Sequence, residues 1–191
     1  MEQMTASIGK PTLVVMGVSG CGKTQTSRAL AAELGVRYIE ADDFHPAENL
    51  AQMRVGLPLT DAQRIGWLQA LGDEMRQAVD DGCGFVLACS ALRRRYRQVL
   101  RAAVPGLRFV HLVVDPETAR QRVGARVGHF MPGSLVDSQF ATLESPAGEP
   151  GVLSVDTRQP REVVRRRIID WLRMSTEGSM QPARPARPDG R

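Results

Sequence analysis

Thr12-Leu13-Val14-Val15-Met16 runs without a break into Gly17-Val18-Ser19-Gly20-Cys21-Gly22-Lys23-Thr24. The first five residues are apolar or β-branched, the composition of a buried strand. The next eight spell G-x-x-x-x-G-K-[ST]. Residues 23–34 then place Ser27, Leu30, Ala31 and Leu34 at helical spacing, and Gly35 stops the helix. A strand, a glycine-rich loop and a helix in that order form the context in which this spacing cradles phosphate. Glycine lets successive backbone N–H groups curl inward toward phosphate oxygens. The helix that follows adds the positive end of its dipole. Lys23 is a mobile point charge for the outer phosphates, and Thr24 offers a hydroxyl to Mg²⁺. Gly17, Val18, Ser19, Gly20, Cys21, Gly22, Lys23 and Thr24 are therefore expected to hold a nucleoside triphosphate with Mg²⁺. Arginine supplies 23 of the 25 basic residues, and Lys10 and Lys23 are the only lysines. A lysine kept in mid-loop in so arginine-rich a chain points to a chemical requirement there.

Outward from this loop, strand and helix patterns alternate. Residues 36–40 read as a second strand. Residues 61–80 read as a long helix capped by Thr60 or Asp61, with Ile65, Leu68, Leu71, Met75 and Val79 on one face. A third strand is expected at 85–89, then a helix whose stripe is Leu92, Tyr96, Val99 and Leu100. A fourth strand at 107–114 leads into a helix from Pro116 to about Arg126, and a further helix is read at 134–144. A short fifth strand at 152–155 precedes a last helix at about 160–173, with Val164, Ile168, Trp171 and Leu172 on one face. Five apolar strands alternating with helices predict an α/β fold, a five-stranded parallel sheet flanked by helices, of the P-loop NTPase kind. Its 191 residues suit one domain. That domain is expected at 11–174, between a flexible N-terminus (1–10) and a disordered tail (175–191) rich in Pro, Gly and Arg. No apolar run approaches the roughly 20 residues of a membrane span. MEQMTASIGK lacks a signal core. Cys21, Cys83 and Cys89 form no C-x-x-C pair, which excludes a disulfide framework or zinc knuckle and fits a cytoplasmic location.

A GTPase needs an N-K-x-D motif, which two lysines at 10 and 23 cannot provide. A motor ATPase ends its acid-bearing strand in Asp-Glu, whereas the third strand here ends Cys89-Ser90-Ala91. What remains is a small-molecule kinase, with acids after the second strand, at Glu40-Ala41-Asp42-Asp43-Phe44-His45-Pro46. With strands one and two side by side, Asp42 or Asp43 would lie beside the γ-phosphate. Asp42 is favoured as the catalytic base and water-mediated Mg²⁺ partner, and Asp43 as a turn that caps the next helix. Ser90 reaches the same edge. Arg93 and Arg94 oppose the dipole in a helix's first turn, which points to an anion nearby. Arg95, Arg97 and Arg101 read as a solvated face. Arg122 and Arg126 lead into Gly128-His129-Phe130-Met131. There, in a small lid at about 126–145, Arg126 is expected to act on the transferring phosphoryl group. Arg122 either meets the triphosphate or only complements its helix dipole. His45 and His129 are expected to contact substrate, and His111 to be structural.

Asp42-Asp43-Phe44-His45-Pro46, Glu48-Asn49, Met53, Gly56-Leu57-Pro58-Leu59-Thr60-Asp61, Arg64 and Trp67-Leu68 resemble the bacterial gluconokinases. The resemblance continues, in order, through Cys89-Ser90-Ala91-Leu92, Tyr96-Arg97, Gly128-His129-Phe130-Met131, Ser138-Gln139-Phe140, Leu143-Glu144 and Pro146, and spans about residues 12–173. It implies ATP-dependent phosphorylation of D-gluconate at its 6-hydroxyl, an adenylate-kinase-like fold and a homodimer. Ala41, Gly66 and Arg93 depart from the family's usual Gly, Pro and Lys. Gluconate, a polyol carrying a carboxylate, needs hydroxyl partners, for which Asp42, His45, Ser90 and Gln139 are suited, and a cation, Arg64 or Arg93. A kinase of another small anionic hydroxyl compound, such as shikimate, shares the loop but not D-D-x-H-P or G-H-F. A nucleic-acid partner is not expected, since the net charge is only +4 and the basic residues are spread over several helices. No membrane partner is expected either.

Overall fold

The computed structural model describes residues 10–125 and 133–177. Its strands are β1 (Thr12–Met16), β2 (Arg37–Glu40), β3 (Phe85–Ala88), β4 (Arg108–Val113) and β5 (Val152–Asp156), and its helices are α1 (Lys23–Leu34), α2 (Ala47–Arg54), α3 (Asp61–Asp80), α4 (Arg94–Ala103), α5 (Pro116–Gly124), α6 (Gly133–Thr142) and α7 (Arg161–Glu177). All strands are parallel, in the order β2-β3-β1-β4-β5.

The sheet is the expected one, but β1 and β2 are not neighbours. β3 lies between them, pairing Val15 with Ala88 on one side and Glu40 with Ala88 on the other. Composition explains the order. All four residues of Phe-Val-Leu-Ala are buried, so β3 belongs inside the sheet, whereas β2 (Arg-Tyr-Ile-Glu) buries Ile39 alone and suits an edge. The carboxyl ends of β1, β3 and β2 still lie in line.

Side chains alternate between two cores. Leu13, Val15, Val86 and Val110 meet Leu30 of α1, Val123 of α5 and Ile168 of α7. Val14, Met16, Leu87 and Phe109 meet Leu68, Leu71 and Met75 of α3 and Leu100 of α4. Thr60 rather than Asp61 caps α3, in a box where Gln63 N–H donates to Thr60 Oγ1 (3.3 Å) and Thr60 N–H to Gln63 Oε1 (2.8 Å). The buried stripe of α3 is Trp67, Leu68, Leu71, Met75 and Ala78. It is rotated from the expected face, so Ile65 and Val79 are exposed. On α4 the same rotation exposes Val99 and buries Arg97 completely. The run of arginines is thus no uniform solvated face: Arg95 reaches solvent, while Arg101 is mostly covered and lies 4.5 Å over the Phe109 ring. A 3₁₀ turn (Ala41–Phe44) and α2, both too short for a clear period, complete the path from β2 to α3. α7 runs to Glu177, three residues into the segment whose composition reads as a tail.

Candidate functional site

The loop after β1 has the backbone its glycines require. Gly17 has φ 140°, and a Cβ there would sit 2.8 Å from the Leu112 carbonyl oxygen. Gly20 has φ 84°, and a Cβ would come within 2.6 Å of the Ala119 carbonyl oxygen. No other residue type fits either position, so the tight curl of the loop depends on these two glycines. Lys23 Nζ donates to the Val18 carbonyl (3.1 Å), and Thr24 Oγ1 to Glu40 Oε2 (3.0 Å). Tyr38 O–H donates to the same Glu40 oxygen. Burial, helped by Glu40, pushes the Tyr38 phenol up to about 12. The Ser19 amide donates to Gln139 Oε1 of α6 at 2.6 Å. Burial raises the Cys21 thiol, which keeps it an inert filler under the loop.

Several segments surround one cavity at the carboxyl edge of the sheet, among them α2 and the stretch after it through Met53, Pro58 and Leu59. Ser19 and Lys23 come from the loop, Glu40, Asp42 and His45 from the end of β2, and Arg64 and Trp67 from α3. Ser90 and Tyr96 come from the β3–α4 region, and Ser138, Gln139 and Thr142 from α6. Asp42 lines it and Asp43 does not. Nor does Asp43 cap α2, whose N-cap is Pro46 with no side-chain hydrogen bond. His45 stacks on Trp67 (centroids 4.3 Å apart, planes at 12°), and the Trp67 N–H holds the Ala41 carbonyl at 2.7 Å. Among the described residues His45 Nδ1 is buried without a hydrogen-bond partner. Burial, with a further push from Arg64 and an opposing pull from Asp42, lowers the His45 pKa, so the ring is neutral at pH 7. Arg64 donates to the Leu59 carbonyl and reaches the Tyr96 hydroxyl at 3.4 Å.

A family model described as an AAA domain matches residues 13–146. The gluconokinase of Gluconobacter oxydans is 45% identical over 157 residues, 82% of this chain and 88% of its own. The chain belongs to the gluconokinase family. The gluconokinase structure from Sinorhizobium meliloti superposes with a TM-score of 0.81 at 40% identity, covering 90% of this chain and 96% of that one. An unliganded sugar kinase from Janibacter gives 0.82 at 43%, covering 88% and 97%.

Against this gluconokinase background, Arg93 stands apart from the other expected site residues. Its guanidinium lies 3.5 Å from Asp61, and it does not line the cavity. The anions expected near the first turn of α4 are the protein's own: Asp61, and Glu144, whose carboxylate accepts the Arg94 N–H at 2.6 Å. Arg122 sits on the other flank of the loop, donating to the Gly20 carbonyl (3.4 Å) and the Thr157 carbonyl (3.0 Å) beside a second cavity. Arg126 and His129 lie outside the described residues, as do residues 1–9 and 178–191. Glu40, Trp67 and Tyr96 are wall residues to which sequence reasoning gave no role. Glu40 had a legible signal, since Glu40 and Asp42 are two apart where a strand ends. Trp67 and Tyr96 stand in stretches that carry the family resemblance, but their place in the wall depends on how α3 and α4 are rotated.

Proposed function

We propose that this chain transfers the γ-phosphoryl group of ATP to the 6-hydroxyl of D-gluconate, giving 6-phospho-D-gluconate. One observation carries the reading: a single cavity joins Ser19 and Lys23 of the phosphate loop to Asp42, His45, Arg64, Ser90 and Gln139. Family membership supplies the substrates. On this reading Lys23 leaves the Val18 carbonyl for the outer phosphates. Asp42 accepts the proton of the 6-hydroxyl. The unpaired Nδ1 of neutral His45 accepts a hydrogen bond from a second hydroxyl, and Ser90 and Gln139 hold others. Arg64, the one of the two candidate cations in the cavity wall, meets the carboxylate. Arg122 flanks the nucleotide.

The residues fit Mg²⁺. Among the described residues no cluster of three or more His, Cys, Asp or Glu side chains could hold a metal alone. A Mg²⁺ ion bound mainly by phosphates needs only one or two protein groups. Thr24, oriented by Glu40, and Asp42 would supply them. When bound, the ion neutralises charge on the β- and γ-phosphate oxygens. The segment at about 126–145 acts as a lid that brings Arg126 to the phosphoryl group and His129 to the substrate, and the enzyme works as a cytoplasmic homodimer. An ADP-release assay with ATP, Mg²⁺ and a panel of sugar acids and shikimate tests the proposal. Turnover that depends on gluconate is expected. Turnover on shikimate or another acceptor with none on gluconate overturns it.

A further inference from the structure

We infer that Arg97 and Glu149 are a positioning pair that fixes the acceptor wall of the cavity, and so sets the affinity for the sugar acid, without touching it. The inference rests on reading that cavity as the gluconate site. Arg97 is the largest fully buried side chain among the described residues, and its five N–H groups all find acceptors. Nη1 donates to the Ala91 (2.9 Å) and Leu92 (3.1 Å) carbonyls. Nη2 donates to the Glu144 carbonyl (3.1 Å) and Glu149 Oε1 (2.5 Å), and Nε to Glu149 at 3.1–3.2 Å. Glu149 is held in turn by Arg101 Nη1 at 2.7 Å.

The groups held this way are the roots of two cavity walls. Ala91 has φ 43°, the one non-glycine at positive φ among the described residues. That conformation costs an L-residue free energy and persists only where its surroundings impose it. Here it turns two successive carbonyls toward one guanidinium. Ser90, just before it, lines the cavity and accepts the Gly17 N–H at 3.3 Å, and Leu92, just after it, lines the cavity too. Glu144 lies two residues beyond α6, whose Ser138, Gln139 and Thr142 form the facing wall, and its N–H donates to the Leu92 carbonyl at 2.9 Å. Arg97 therefore ties the β3–α4 loop to the stem of α6. The ion pair by itself does not call for this arrangement, because apolar residues of like volume often replace a buried ion pair at little cost, apart from the donors that the carbonyls lose. Apolar residues cannot hold three carbonyls in fixed positions.

The test compares wild type with the Arg97→Met/Glu149→Leu double variant, the same variant carrying Ala91→Gly, and Glu149→Gln. Melting temperature, kcat, and KM for ATP and gluconate are measured well below the melting point. The double variant is expected to fold and to lose about ten- to a hundredfold in kcat/KM for gluconate, the scale of an ångström's misplacement, with KM for ATP unchanged. Adding Ala91→Gly should restore part of that loss, because glycine adopts the left-handed conformation unaided. A double variant that folds and keeps wild-type constants for gluconate overturns the inference. If the double variant does not fold, Glu149→Gln decides. It keeps the size and the acceptor of Nε, and a raised gluconate KM at unchanged ATP KM supports the pairing, whereas unchanged constants overturn it. If wild type itself fails on gluconate, the functional reading has failed rather than the positioning role.

Discussion

On the proposed donor side of the cavity, the wall comes from one loop of eight consecutive residues, which puts Ser19 and Lys23 against the cavity. On the proposed acceptor side, the wall is gathered from the end of β2, α2 and the segment after it, α3, the β3–α4 loop and α6, and it is made of side chains from distant parts of the sequence. A contiguous wall survives most changes elsewhere but tolerates almost none within itself, as the 2.6–2.8 Å approaches at Gly17 and Gly20 show. A gathered wall can be retuned from a distance, which suits the side that must match a particular acceptor.

The sharpest way to break this comparison is on the donor side. Lys23→Ala should cost at least about 10³-fold in kcat while the melting temperature stays put, because the side chain's hydrogen bond is to its own loop. Activity within tenfold of wild type would remove the loop from the mechanism. On the acceptor side, Arg64→Ala should raise the gluconate KM by about ten- to a hundredfold, the worth of a charge-assisted hydrogen bond. Arg93→Ala, outside the wall, should leave it within about threefold, since rim ion pairs are worth little. Equal effects would mean that the wall is drawn wrongly.

The next effect is on stability. Burial lowers the pKa of His45 and of His111, where Arg97 adds to the effect. The unfolded chain therefore takes up protons at a higher pH than the folded one. Stability is complete above the ordinary histidine range and falls as pH drops through it toward the folded values. The melting temperature should decline from about pH 7.5 to 5.5, and less steeply in His111→Asn. A flat profile would show that neither ring is held neutral. The smallest effect lies away from both walls. Gly66 is inside α3 with open space where a Cβ would go. Gly66→Ala should stabilise by about 0.5–1 kcal/mol with kinetics unchanged, read from urea melts.

The same contrast governs what could be read in advance. The phosphate loop, α1 and its Gly35 stop are local, and the sequence spells them out. The five strands were legible as apolar runs, but their order was not: nothing near β1 announces that β3, some 70 residues later, will take the place beside it. Arg97 was read as solvated because a run of arginines looks alike along its length, and its partner Glu149 is 52 residues away. Ile65, Val79 and Val99 were misplaced for a related reason. An apolar stripe of helical period fixes a face only to within the rotation that its tertiary neighbours choose. Asp42 and Asp43, adjacent and chemically alike, differ only in which way the turn after β2 directs them.

Those two carboxylates offer the most direct test that the acceptor is activated from the β2 wall. Gluconate binding by calorimetry and kcat are measured side by side for Asp42→Asn and Asp43→Asn. Asn keeps the size and hydrogen-bonding reach of Asp but not its basicity. Asp42→Asn should bind gluconate nearly as wild type does and lose about 10²–10⁴-fold in kcat, with Asp43→Asn close to wild type in both. Turnover retained in Asp42→Asn and lost in Asp43→Asn would contradict the account.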